Sequence, residues 1–244
     1  MTQIVILAAG KGKRMGEELP KVLVPLQDKA IIKYLMDSVV VSGVDPRPVM
    51  VVSPDNIDII SEALKDYDIE YVLQEEQLGT GHAVNCAREK MSAEADRVMV
   101  LYGDHPFIKS GSIKRFAEAN SSVVSVMPTK VEDFDDWRHN FYHWGRFIRN
   151  EKREIERIVE FKDANDEERD VLEVNPGFMC FNREWLLNSI DKLKDDNNAK
   201  EYYLTDMVKI AFAEGGKIGT VLVDPREAVG INSKEELKVA EGLL

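Results

Sequence analysis

The 244-residue sequence contains few cysteines, no long apolar run and no excess of positive charge. Its two cysteines, Cys86 and Cys180, are too few and too scattered for a disulfide framework. No apolar stretch approaches the ~20 residues that a membrane-spanning helix requires. No charged leader with a cleavage motif precedes the first strand pattern, so no secretory signal is predicted. We therefore expect a cytoplasmic protein without a membrane partner.

Acidic residues outnumber basic ones, 44 to 32, and the formal net charge is −12. Such a surface repels polyanions, which argues against nucleic acid as a partner. The hydrophobic content of 44% is that of an ordinary globular protein with a buried core. An acidic protein that holds a polyanionic ligand needs a local basic loop and a metal ion.

Strand and helix patterns alternate through the first half of the chain, which predicts an α/β fold with a mainly parallel sheet flanked by helices. The predicted strands there are 3–8, 48–53, 69–74 and 97–102, and the predicted helices are 29–42, 56–66 and 82–91. The second half is richer in strands, at 123–129, 146–150, 154–162, 173–181 and 217–223, with helices at 183–194, 204–214 and 233–243. We predict one domain over 1–244, with a first lobe (mainly 1–120), a second lobe (mainly 121–227) and a closing segment (228–244).

A glycine-rich basic loop follows the first strand, from Leu7 to Met15, and ends at Pro20-Lys21. Gly10 and Gly12 let backbone N–H groups approach an anion closely. The basic residues of this loop are Lys11, Lys13, Arg14 and Lys21, against two acids, Glu17 and Glu18. The spacing matches neither a Walker A loop nor a dinucleotide fingerprint. We predict a triphosphate site, and the structural alternative is a basic surface turn.

Two further segments follow predicted strands at the same edge of the sheet. Gln74 precedes Leu78-Gly79-Thr80-Gly81-His82-Ala83, where the structural alternative is a tight turn with the Thr80 hydroxyl capping a helix. Tyr102-Gly103-Asp104 places a carboxylate behind a glycine that admits a close ligand, and an acidic turn is the alternative. Asn232 offers an oxygen just before the last helix. One carboxylate and one amide oxygen are enough for Mg²⁺ beside substrate phosphates.

The loop from Leu7 to Lys21 resembles the signature of the sugar-1-phosphate nucleotidylyltransferases, Leu-Ala-Ala-Gly-x-Gly-x-Arg-Met followed by Pro-Lys. The segment from Gln74 to Ala83 is similar to that of bacterial N-acetylglucosamine-1-phosphate uridylyltransferases. Further matches occur in order at Gly145, at Glu160 with Lys162, at Asn175 with Gly177, and at Glu201–Asp206. The resemblance extends from residue 3 to about residue 240.

The resemblance implies a Rossmann-like, GT-A-like nucleotidyltransferase fold with a sugar-binding second lobe. It implies that UTP and N-acetylglucosamine-1-phosphate give UDP-N-acetylglucosamine and pyrophosphate, with Mg²⁺ on Asp104 and Asn232. Arg14 and Lys21 would be the catalytic cations. The implied nucleotide contacts are Leu7, Ala8, Ala9, Gly10, Gly12, Gln74, Gly79, Thr80 and Gly103. The implied sugar contacts are Tyr102, Gly145, Glu160, Asn175 and Tyr203.

Two positions depart from the family pattern. Pro176 stands where a threonine is usual, which leaves open another sugar-1-phosphate, such as glucose-1-phosphate, or another nucleotide, such as TTP. His105 follows Asp104 where an apolar residue is usual, and we expect it to be exposed. A third hypothesis is a regulatory subunit that binds a sugar nucleotide without catalysis. The hexapeptide repeats of an acetyltransferase β-helix do not occur before Leu244, so we expect a monomer without acetyltransferase activity.

Overall fold

The computed structural model describes residues 1–10, 19–119 and 123–244. The strands in these residues are β1 (Thr2–Leu7), β2 (Pro25–Leu26), β3 (Lys29–Ala30), β4 (Val49–Val52), β5 (Glu70–Leu73), β6 (Arg97–Tyr102), β7 (Val124–Val126), β8 (Thr129–Lys130), β9 (Gly145–Arg149), β10 (Ile155–Val159), β11 (Glu173–Asn175), β12 (Met179–Asn182) and β13 (Ile218–Thr220). The α-helices are α1 (Ile31–Ser42), α2 (Ile57–Ala63), α3 (Thr80–Cys86), α4 (Ser110–Glu118), α5 (Asp166–Arg169), α6 (Arg183–Ser189), α7 (Asp206–Ala213), α8 (Pro225–Ala228) and α9 (Lys234–Glu241).

Seven of these strands form the central sheet, in the order β13-β7-β12-β6-β1-β4-β5. β1 runs parallel to both β4 and β6, and β4 runs parallel to β5. β12 lies antiparallel between β6 and β7, which makes the sheet mixed. The predicted α/β architecture, a mainly parallel sheet flanked by helices, is confirmed.

Helices cover both faces of the central sheet because successive side chains of a strand point to opposite sides. Ile4 and Ile6 of β1 pack in one apolar cluster with Leu35 of α1 and Phe116 of α4. Val5 belongs to a second cluster, on the other face, with residues of α3 and α7. These three β1 side chains are completely buried. Each contributes about 1.5–3 kcal/mol to the free energy of folding, so β1 is held firmly from both sides.

A smaller antiparallel sheet, in the order β10-β9-β11-β8, is built from the part of the chain between Thr129 and Asn175. The predicted strand 173–181 is therefore wrong as one strand, because β11 belongs to the small sheet and β12 to the central sheet. The break falls at Pro176 and Gly177. Proline lacks the backbone N–H that a sheet ladder uses, and Gly177 has a φ of +96°, which favours glycine. The predicted strand 123–129 divides in the same way into β7 and β8, on either side of Pro128.

Several predicted helices are shorter in the structure. The one predicted at 29–42 begins at Ile31, since Lys29-Ala30 pairs with Pro25-Leu26 as a short hairpin. The ones predicted at 82–91 and 183–194 each end in a separate 3₁₀ turn, and the one at 204–214 begins at Asp206. Helix α4 was not predicted. It begins with Ser-Gly-Ser, which is typical of a loop, and its buried apolar residues are only Ile113 and Phe116.

The last predicted helix is confirmed as α9, with Ser233 as its N-cap and the Ser233 hydroxyl accepting from the Glu236 N–H at 3.2 Å. Within the described ranges, no helix is both long and apolar enough to cross a membrane. The lobe boundaries at 120 and 227 stay a prediction.

Candidate active site

A cavity of about 650 Å³ opens at the carboxyl edge of the central sheet. Leu7 and Tyr102 are in register at the ends of the parallel strands β1 and β6, so the segments that follow them leave the sheet side by side. Ten of the predicted site residues line the cavity: Leu7, Ala8, Ala9, Gly10, Lys21, Gln74, Gly79, Thr80, Tyr102 and Asp104. Gly12 and Arg14, which were predicted to bind phosphate, lie outside the described residues.

Backbone hydrogen bonds hold the floor of the cavity. The Ala8 N–H donates to the Val51 carbonyl at 2.8 Å, and the Gly103 N–H donates to the Leu7 carbonyl at 3.0 Å. A Cβ on Gly10 would meet no atom of the described residues within 4 Å. A Cβ on Gly103 would lie 3.1 Å from Val22 and 3.2 Å from Ile32. The Cβ side of Gly103 is therefore closely packed against the protein, and its role beside a ligand stays a prediction.

Asp104 and Asn232 come together although 128 positions separate them in the chain. The Ile231 N–H donates to the Asp104 backbone carbonyl at 2.9 Å, which fixes the segment before α9 against the end of β6. The Glu236 carboxylate accepts from the Asn232 N–H and holds this segment from the other side. We call Asp104 and Asn232 the metal pair, because the predicted magnesium ligands are adjacent here.

Lys21 places its ammonium between the two side chains of the metal pair. Its Nζ donates to Asn232 Oδ1 at 2.8 Å and also to Asp104 Oδ2. One carboxylate oxygen and one amide oxygen thus converge on a single cation, and these are donors that Mg²⁺ accepts. The described residues contain no group of three or more His, Cys, Asp or Glu side chains able to hold a metal. A magnesium ion at the metal pair would therefore depend on substrate oxygens and water for its other ligands.

Neighbouring side chains stabilise the ionised form of Asp104. Burial acts to raise the pKa of this carboxyl, but the positive charge of Lys21 and the contact with His105 outweigh it and hold that pKa far below its usual range. His105 Nδ1 lies 2.9 Å from Asp104 Oδ1. Asp104 therefore stays ionised throughout the physiological pH range.

The expectation that His105 is exposed is wrong, since only 5% of the residue is accessible. Its ring lies among aromatic side chains, with centroid distances of 5.0 Å to Phe178, 5.6 Å to Trp144 and 5.9 Å to Tyr102. A Cβ on Gly230 would approach His105 Nε2 to 2.8 Å, so the residue opposite the ring has to be small. The histidine fills an aromatic cavity and orients Asp104.

Gln74 is buried next to the start of α3. Its amide nitrogen donates to the Gly79 carbonyl at 3.1 Å and lies 3.1 Å from His82 Nδ1. With the amide hydrogens directed at the protein, the Gln74 carbonyl oxygen is the group left to accept from a ligand in the cavity.

Two sequence motifs that lie far apart in the chain form one structural unit at this point. The Gly81 N–H donates to the Tyr202 carbonyl at 2.7 Å, and the Tyr202 N–H donates to the Leu78 carbonyl at 2.8 Å. Gly79 has a φ of +110°, and a Cβ there would lie 2.7 Å from the Tyr202 carbonyl. The capping alternative for Thr80 is wrong, because Gly79 is the N-cap and the Thr80 hydroxyl accepts from the Leu204 N–H at 3.0 Å.

The predicted sugar residues lie beside Tyr102. A Cβ on Gly177 would lie 2.6 Å from the Tyr102 ring, and Asn175 Oδ1 accepts from the Gly177 N–H at 3.0 Å. Gly145 pairs with Asn175 in the small sheet, and its Cβ position is 3.5 Å from Glu160 Oε1. Since Tyr102 also lines the main cavity, this group of residues continues the same site.

Acidic groups shape the electrostatics of the sugar side. Burial raises the pKa of Glu160, the Thr205 hydroxyl that donates to it at 3.0 Å opposes this rise, and Asp206 adds to it. Burial and the carboxylates of Asp163 and Glu160 raise the pKa of Tyr203, so its hydroxyl stays protonated at neutral pH. Glu160 and Tyr203 can each form a hydrogen bond with a hydroxyl group of a ligand.

Sequence reasoning missed several lining residues that carry no motif: Ser53, Asp55, Glu75, Glu76 and Gln77. Ser53 and Asp55 follow β4, so their place after a parallel strand was an available signal. Gln77 donates to the Ala9 carbonyl at 2.9 Å and so links the wall of the cavity to its floor.

Residues 4–206 match the MobA-like NTP transferase domain family. The chain belongs to this family. The match includes β1 from Ile4 onward, the described part of the loop after it, Gln74, α3 and Asp104, which build the cavity.

The chain is also similar over nearly its whole length to proteins named bifunctional protein GlmU. It is 38% identical to those of Caldicellulosiruptor saccharolyticus and Clostridium novyi, over 97% and 98% of this chain and 50% and 51% of those proteins. The protein of Clostridium beijerinckii is 36% identical over 98% of the chain and 51% of its own length. The chain spans about half the length of these relatives. The resemblance drawn from the sequence is confirmed.

Proposed function

We propose that this NTP transferase moves a uridylyl group from UTP to N-acetylglucosamine-1-phosphate, releasing UDP-N-acetylglucosamine and pyrophosphate. The observation that carries the proposal is the convergence of Lys21, Asp104 and Asn232 at the cavity where Gln74 and Gly10 also lie. The side chains of Gln74, Lys21 and Asp104 and the backbone of Gly10 thus line one cavity of about 650 Å³, which supports roles in base reading and phosphate binding. We further propose that the enzyme acts as a monomer in the cytoplasm.

The base would be read by Gln74 and the backbone around Gly79. The N3–H of uracil or thymine is a donor, whereas N3 of cytosine is an acceptor. The Gln74 carbonyl oxygen, left available by the bonds to Gly79 and His82, accepts from the donor and repels the acceptor. This supports a uridine or thymidine nucleotide rather than a cytidine nucleotide.

Asp104 and Asn232 would hold Mg²⁺. When bound, the ion supplies charge neutralisation that lets two phosphate-bearing substrates approach each other. His105 keeps one Asp104 oxygen occupied, so the other oxygen, together with Asn232 Oδ1, faces the cation site.

The reaction is a displacement at phosphorus that needs no covalent help from the protein. A phosphate oxygen of the sugar-1-phosphate attacks the α-phosphorus of UTP, and pyrophosphate leaves. Lys21, which lines the cavity, would stabilise the charge that develops around the α-phosphate, and Arg14 would hold the outer phosphates. Glu160 and Asn175 would orient the sugar through its hydroxyl groups, beside the backbone of Gly145.

The test is a pyrophosphate-release assay with UTP, TTP and CTP, each combined with N-acetylglucosamine-1-phosphate and glucose-1-phosphate, with and without Mg²⁺. We expect the highest kcat/KM with UTP and N-acetylglucosamine-1-phosphate, and turnover only with the metal. Binding of UDP-N-acetylglucosamine without turnover of any pair would instead support a regulatory subunit.

Pro176 supports a second candidate, a nucleotidylyltransferase for another sugar-1-phosphate. This buried residue lies between Asn175 and Gly177 and has neither the backbone N–H nor the hydroxyl of the usual threonine. A preference for glucose-1-phosphate in the same panel, shifted toward N-acetylglucosamine-1-phosphate by Pro176→Thr, would favour this candidate.

A further inference from the structure

The cation that lies between the side chains of the metal pair is a side chain of the protein itself. Lys21 Nζ donates to Asn232 Oδ1 at 2.8 Å and to Asp104 Oδ2. The side chains of Lys21 and Asp104 are only 15% and 11% exposed, so this ion pair is shielded from solvent. The other Asp104 oxygen is engaged by His105, and Oδ2 is therefore the oxygen for which a second cation has to compete.

The backbone of Lys21 is fixed, so only its side chain is free to exchange partners. Lys21 begins a 3₁₀ turn whose next residues, Val22 and Leu23, are buried. The Leu23 N–H donates to the Pro20 carbonyl at 2.8 Å, which closes this turn. The four-carbon stem of lysine, in contrast, rotates readily and carries a compact charge.

The cavity gives the ammonium another place to lie. Lys21 lines the same cavity as Ala9 and Gly10, the described end of the predicted phosphate loop. An ammonium and a divalent cation repel each other at contact distance, and both cannot share Asp104 Oδ2. A nucleotide, however, brings phosphate oxygens that can accept the lysine once it leaves the carboxylate.

We propose that Lys21 is the resident counter-ion of the metal pair, and that its ammonium moves to the substrate phosphates when a divalent cation and nucleotide bind. The second half of this inference rests on the proposed function, whereas the first half concerns the free protein alone. It follows that a divalent cation without nucleotide has to displace Lys21 and binds weakly. Nucleotide therefore promotes metal binding, because it offers the displaced ammonium a new partner.

The decisive experiment measures Mn²⁺ binding to the nucleotide-free protein by electron paramagnetic resonance, with Mn²⁺ as the probe for Mg²⁺. Lys21→Met keeps the length of the side chain and removes its charge, so we expect it to bind Mn²⁺ at least about tenfold more tightly than the wild type. Lys21→Arg keeps the charge and should bind as weakly as the wild type. If the Lys21→Met variant binds Mn²⁺ no more tightly than the wild type, the proposal is wrong.

Two controls locate the effect. Asp104→Asn added to Lys21→Met should abolish the gain in affinity, because Asp104 Oδ2 is the contested ligand. Lys29→Met removes a lysine that pairs instead with Asp37 and should leave the Mn²⁺ affinity unchanged. A gain that survives Asp104→Asn, or that appears equally in Lys29→Met, would reflect nonspecific charge and refute the inference.

A second measurement uses the wild-type chain and does not depend on the folding of a variant. The Nζ–H signal of Lys21, observed by NMR in ¹⁵N-lysine-labelled protein, should be protected from exchange in the free protein and shift when Mg²⁺ and a non-hydrolysable UTP analogue are added. An unprotected signal in the free protein would contradict the resident counter-ion. If no substrate pair in the panel turns over while Lys21→Met still gains Mn²⁺ affinity, the proposed function fails and the counter-ion assignment stands.

Discussion

Replacing Arg146 by methionine should destabilise the protein strongly. The residue is completely buried at the start of β9. Its guanidinium donates to backbone carbonyls: that of Tyr142 at 2.8 Å, that of Phe141 at 3.4 Å, that of Arg169 at 3.1 and 3.2 Å, and that of Trp144. It also lies 4.8 Å from the centroid of the Phe134 ring. Burial lowers the pKa of Arg146, which Tyr142 and Asp170 partly offset.

The size of the effect follows from the carbonyls that lose their donor. Each buried carbonyl left without a partner costs about 1–3 kcal/mol. The Phe141 carbonyl keeps a second donor, the Trp144 N–H at 3.1 Å, so the cost falls on the other carbonyls. Methionine also removes the buried positive charge of Arg146, and the desolvation cost that is avoided offsets part of this loss. We therefore expect Arg146→Met to lower the free energy of unfolding by about 3 kcal/mol, which corresponds to roughly 6–12 °C in Tm for a chain of this size.

The assay is guanidinium unfolding followed by circular dichroism and tryptophan fluorescence. Arg47→Met is the matched control, since the Arg47 side chain is 58% exposed and its loss should cost less than about 0.5 kcal/mol. Because the carbonyl cage fixes the turn before Gly145, Arg146→Met should also raise KM for the sugar phosphate more than KM for UTP. A loss of stability below about 1 kcal/mol would show that the cage does not hold this turn.

Three further predictions concern single positions. Gly177→Ala forces a side chain into a φ of +96° and within 2.6 Å of the Tyr102 ring, so chemical denaturation should reveal a loss of about 2–4 kcal/mol; a change within error would argue against strain at this turn. Glu160→Gln should raise Tm at pH 7. The raised pKa of Glu160 means that the folded state binds the carboxyl proton more tightly than the unfolded state, so the wild type loses stability as the pH rises above the carboxyl's ordinary pKa. Glutamine does not ionise and avoids this loss. The gain should vanish toward pH 4, and a Tm difference independent of pH would contradict it. Asp104→Asn should lower turnover at least about 100-fold and flatten its Mg²⁺ titration; an unchanged titration would exclude this ligand.

The strand predictions that failed share a physical cause. The run 173–181 is apolar enough for one strand, and only the packing of two sheets shows that it turns at Pro176-Gly177 from one sheet into the other. His105 was expected to be exposed. Its burial depends on Phe178 and Trp144, which are distant in the chain and therefore invisible to local patterning.

The sequence by itself determined the alternating core pattern, the ends of the parallel strands and the residue types gathered there. Those properties are local, since side-chain periodicity and backbone freedom depend on neighbours within a few positions. Only the tertiary structure decided that Lys21 lies between Asp104 and Asn232, that Gly103 packs closely against Val22 and Ile32, and that the segments around Thr80 and Tyr202 form one unit. Contacts between residues so far apart in the chain depend on how whole elements pack. No local sequence pattern determines which charged side chain pairs with a given carboxylate.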